Sequence, residues 1–140
     1  MSHQNGIAVG SEFAAEPYPL DDAAAEAYER GVKEPRRRKW RTNIHTDREA
    51  ASKAGFTAPI AAGEHTIAVA MQLIVDRFGE RFLRGGGFDV ALVKPVLFGD
   101  TIIAHARVTS VGQERIGLDL WVENQDGARV LTGMASVRAV

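Results

Sequence analysis

The 140-residue sequence contains no cysteine, which excludes disulfides and thiolate zinc sites. It also lacks a charge bias: 17 Lys and Arg stand against 18 Asp and Glu, a net charge of −1. Nucleic-acid binding, which calls for a basic chain or a basic face, is therefore not expected. No apolar run approaches the ~20 residues of a membrane span. The opening residues MSHQNGIAVGSE have no signal-peptide core, so the expected setting is cytoplasmic, with no membrane. No two histidines have the helical spacing of a metal pair, and neither a metal nor a cofactor is expected. Gly85-Gly86-Gly87 lacks the Lys-Ser/Thr and the helix of a phosphate loop, and reads as a hinge.

What is present suffices for one domain over residues 1–140. At 45% hydrophobic, a chain of this length buries enough surface for a packed core without staples. A short extended piece at Phe13–Tyr18 precedes an Ala-rich helix, Ala23–Arg30, opened by Asp21-Asp22 and closed at Gly31. GVKEPRRRKWRTN is a charged, aperiodic loop. Thr46 and Glu49 have the spacing of a capping box, with Thr46 at the N-cap of a short helix that ends at Gly55.

Ala61–Phe78 is the organising segment, a helix apolar nearly all round that belongs inside a structure. Strands follow at Phe88–Val96, Thr101–Val111, Ile116–Glu123 and Ala128–Val140, with Asp126-Gly127 as a hairpin turn. The fold class is thus α+β, an antiparallel sheet wrapped around a central helix. One sheet covers one side of such a helix, and a second copy of the chain is the expected cover for the rest, so a homodimer is predicted.

Three stretches, NIHTDREAASKAGFTAPIAAG, GFDVALVKPVLFGDTIIAHARV and DGARVLTGMASV, resemble the MaoC-like branch of hot-dog-fold proteins, which includes the (R)-specific enoyl-CoA hydratases. The resemblance implies a hydro-lyase that adds or removes water at an enoyl or 3-hydroxyacyl thioester. The substrate would be an acyl-CoA or an acyl-carrier thioester. The family motif D-x-N-P-x-H places its His at His45, and the amide that receives the thioester oxygen at Gly63. Its Asp has no match: counting back from His45 gives Trp40, while counting forward from Ala27-Tyr28 gives Glu34.

Glu64 and His65 follow Gly63 directly, and polar groups in the first turn of a buried helix need partners or a cavity. They read either as a cap and a structural hydrogen bonder or as replacement acid–base groups. Asp47 belongs to the capping turn, while His105 and Asp119 are strand residues with solvent-facing or hydrogen-bonded roles. Arg38, Arg41, Trp40 and Asn43 are the candidate substrate contacts, the arginines for phosphate oxygens. Two further readings stay open. One is another proton-transfer reaction on this fold (isomerisation, cyclisation or decarboxylation), and the other is a non-catalytic subunit of a hetero-oligomeric hydratase.

Overall fold

The computed structural model describes residues 7–32 and 43–140. Ten elements follow one another: β1 (Glu12–Ala14), β2 (Tyr18–Pro19), α1 (Asp22–Val32), α2 (Arg48–Lys53), α3 (Gly63–Phe78), α4 (Glu80–Leu83), β3 (Gly87–Leu92), β4 (Thr101–Val111), β5 (Arg115–Glu123) and β6 (Arg129–Arg138). The strands form one antiparallel sheet in the order β1-β4-β5-β6-β3, with β2 also pairing to β4. Alternation decides which face is buried. Ile102, Ala104, Ala106 and Val108 of β4, and Leu118, Leu120 and Val122 of β5, turn inward to a core shared with Ala70, Leu73, Ile74 and Phe78 of α3.

Several expectations needed correction. The central helix is not apolar all round, because Glu64, Ala68, Gln72 and Asp76, four residues apart, form an exposed stripe. The apolar surface left open lies instead on the sheet edge: Phe88, Leu92 and Val93 at β3, and Met134 beside it, are 38%, 48%, 55% and 62% exposed. α1 runs through Gly31 to Val32, since an exposed glycine in the last turn of a helix costs at most about 1 kcal/mol.

The Gly85–Gly87 run is not a free hinge. A Cβ on Gly86 would lie 2.5 Å from the Phe82 ring and 2.8 Å from the Ser136 carbonyl, and Gly87 is paired in β3. The glycines let β3 approach the short, unforeseen helix α4. β3 ends at Leu92 rather than continuing to Val96, because Pro95 has no N–H for a ladder. The extended piece at Phe13–Tyr18 divides into β1 and β2 around Pro17.

The cap of α2 also differs. Asp47 sits at the N-cap and its carboxylate accepts from the Ala50 N–H at 2.7 Å. The Thr46 hydroxyl instead accepts from the Asn43 N–H at 3.2 Å, and Glu49 pairs with Lys53 at 2.9 Å. A carboxylate is the stronger acceptor at a helix N-terminus and takes the capping position from the hydroxyl.

Candidate active site

His45 is positioned by its immediate neighbours. The Asn43 side-chain oxygen accepts the His45 N–H at 2.8 Å, while the Asn43 carbonyl accepts the N–H groups of Thr46 and Asp47. Asp47 then caps α2, so the loop is tied off immediately after the imidazole. Asn43, expected as a substrate contact, is used inside this turn.

The ring itself is held by Nδ1, which lies 2.9 Å from the Ile60 carbonyl oxygen. A carbonyl can only accept, so Nδ1 donates a proton to it, and in the neutral ring Nε2 is then the nitrogen with the lone pair. Ile60 belongs to a strut that bonds on both sides: its N–H donates to Ile44 O, and the Ala61 N–H donates to Val96 O. The strut leads into α3, with Gly63 three residues beyond Ile60, at most about 11 Å along the chain. Ala62, the N-cap of α3, offers no side-chain cap. The first amides of α3 thus keep donor capacity at the positive end of the helix. A Cβ on Gly63 would lie 2.6 Å from Cδ1 of the half-exposed Leu92 of β3, so that side chain would have to shift to admit one.

A cavity of about 280 Å³ opens beside His45. Asp22, Ala25 and Glu26 of α1 form one wall, with Arg48, Pro59 and Phe98 around the imidazole. Carboxylates therefore stand on the same cavity as His45, although they come from α1 and were not anticipated. Nothing local in the sequence marks them, because α1 reaches His45 only through the fold.

Gly63 does not line this cavity, and neither do Glu64 and His65. Glu64 is exposed. His65 is only 5% exposed, its Nε2 lies 2.8 Å from the Tyr18 hydroxyl, and its ring stacks on Tyr28 at 4.3 Å. Burial lowers the His65 pKa below its usual 6.5. Burial, followed by the charge of Asp21, raises that of Tyr18, and burial, followed by the charge of Glu64, raises that of Tyr28. Glu64 and His65 thus lie off the His45 cavity, one exposed and the other enclosed by the two tyrosines. Trp40, Arg38, Arg41 and Glu34 lie outside the described residues. His105 stacks on Trp121, with Nε2 3.6 Å from a Glu123 carboxylate oxygen.

Among the described residues, no group of three His, Asp or Glu side chains is placed to hold a metal ion. None of their helices is long and apolar enough to cross a membrane.

Solved structures share this fold, among them the following three. An unliganded R-hydratase from Pseudomonas aeruginosa is 21% identical with a TM-score of 0.74, covering 94% of this chain and 81% of its own. A MaoC-like dehydratase from Rhodospirillum rubrum is 26% identical with a TM-score of 0.71, covering 94% and 92%. A Mycobacterium tuberculosis protein described as having a double hotdog fold is 16% identical with a TM-score of 0.73, covering 94% of this chain but 42% of its own. No curated protein sequence matches the chain. The MaoC-like domain profile matches residues 41–125, which include His45, the strut, α3 and strands β3 to β5. With the helix-wrapping antiparallel sheet, that match identifies the chain as a member of the MaoC-like domain family, built on the hot-dog fold.

Proposed function

We propose that the protein is an acyl-thioester hydratase/dehydratase that adds or removes water at an enoyl or 3-hydroxyacyl thioester, with His45 as its acid–base residue. The observation that carries this reading is the Nδ1–Ile60 bond. It fixes the tautomer that leaves Nε2 basic and ties the ring to the strut that begins α3. In the hydration direction, Nε2 takes a proton from water as the oxygen adds to the β-carbon. The negative charge that develops on the thioester oxygen is received by the Gly63 N–H. The same proton passes from Nε2 to the α-carbon, so atoms and charge balance and the imidazole ends neutral.

The working form in this reading is a homodimer. β3 is one edge of the sheet, and a six-residue edge with exposed Phe88 and Leu92 invites pairing with another strand. The double-hotdog neighbour, more than twice as long as its match here, supports two such units acting together.

The test is the decay of enoyl absorbance when crotonyl-CoA and longer enoyl-CoA thioesters are mixed with the protein. His45→Gln should lower the rate about 10²–10⁴-fold with the circular dichroism spectrum unchanged. Wild-type turnover that survives this substitution would assign the chemistry elsewhere. Absence of wild-type turnover across the chain-length series would contradict the activity itself.

A further inference from the structure

α1 separates two cavities. Its Asp22, Ala25 and Glu26 face the His45 side, whereas Ala24, Ala27 and Tyr28 face a second space of about 420 Å³ against α3. His65 on the second cavity and Gly63, the amide assigned to the thioester oxygen, are two residues apart and so roughly 200° from each other around α3. The second cavity therefore takes no part in the hydration chemistry described above.

Its construction is that of a binding site. The floor is small and apolar, made by alanines of α1 and by Ala68 and Val69 of α3. The wall is aromatic, with His65 held between the Tyr18 hydroxyl at Nε2 and the parallel ring of Tyr28. A mostly apolar cavity with a few convergent polar groups is the usual form of a small-molecule site. Burial raises the pKa of Tyr18 and Tyr28 and lowers that of His65, and all three line it.

Charge selects the ligand. Glu16 and Asp76 line it, Gln72 donates to Asp76 at 2.6 Å, and among the described residues no Lys or Arg lines the cavity. His65, buried and neutral at pH 7, brings no cation. The phosphates of an acyl-CoA are repelled here, whereas an ammonium group gains both carboxylates and the aromatic rings of the tyrosines.

We infer that the cavity between α1 and α3, walled by Tyr18, Tyr28 and His65 and lined also by Glu16 and Asp76, is a second binding site that takes small apolar molecules bearing an ammonium group. The experiment is an NMR titration of the full chain with phenethylammonium and, separately, with 3-phenylpropionate, which has a similar ring and tether but the opposite charge. The amine should shift the His65, Tyr28 and Ala68 signals saturably, and the carboxylate should bind at least about tenfold more weakly. Ala68→Trp, on an exposed position, should fill the cavity and abolish these shifts. Gln72→Arg should reverse the preference between the two probes. Equal binding of both, shifts confined to residues around His45, or no saturable shift at all would overturn the inference. So would amine binding that Ala68→Trp leaves undiminished. None of these outcomes depends on hydratase activity.

Discussion

The two histidines flanking α1 are held in opposite ways. His45 is fixed by backbone and near neighbours: Asn43 two residues away and the Ile60 carbonyl fifteen away. His65 is fixed by side chains brought from afar, its bond to Tyr18 spanning 47 residues and its stacking partner coming from α1. Backbone tethering orients a ring while leaving its second nitrogen basic and reachable. Side-chain enclosure satisfies the ring and strips it of water, which lowers its affinity for a proton. One arrangement suits proton transfer, the other suits a wall.

The contrast can be broken at the strut. Gly63→Ala should force Leu92 aside and cost about 1–3 kcal/mol, read as a lower urea midpoint. Leu92→Ala in the same chain should return most of that loss, because the clash is with its Cδ1. Equal losses with and without Leu92→Ala would mean that the glycine is required for another reason.

A smaller effect sharpens the account of the His45 loop. Asp47→Ala should cost about 0.5–2 kcal/mol, the usual value of an N-cap. Thr46→Ala should cost less, since its hydroxyl bonds the turn rather than the helix. The reverse order would restore Thr46 as the cap.

The smallest effect separates the histidines by pH. His65 has a folded pKa below its unfolded 6.5, so beneath that value the unfolded chain binds a proton that the folded one refuses. Its contribution to stability is full above about pH 6.5 and is lost as the pH falls towards the folded pKa. Tyr18 and Tyr28 are raised, so theirs is full below about pH 10 and is lost above it. Urea midpoints at about pH 5 and about pH 8 should differ less in His65→Gln than in wild type. An unchanged difference would remove His65 as the acid-side group.

Much of the scaffold was legible because local pattern determines it. Inward Leu118, Leu120 and Val122 mark β5, Gly127 turns the last hairpin with φ 72°, and Gly79 stops α3 with φ 53°. Family resemblance pointed to His45, and the structure joins that residue to the segment leading into α3 through Ile60. The second cavity was not legible. Tyr18 lies between two prolines and Tyr28 in an alanine-rich helix, and nothing near either residue announces His65. The exposed stripe of α3 was also missed, because Ala68 counts as apolar in a periodicity whichever way it faces. The α1 carboxylates escaped for the same reason as the tyrosines, since a helix that crosses over a loop leaves no mark on either sequence.

The most direct test is a crystal structure with a bound 3-hydroxyacyl-CoA. The account predicts that His45 Nε2 contacts the 3-hydroxyl while the Gly63 N–H points at the thioester oxygen. A thioester bound away from both groups, or seated against Tyr18 and His65, would contradict it.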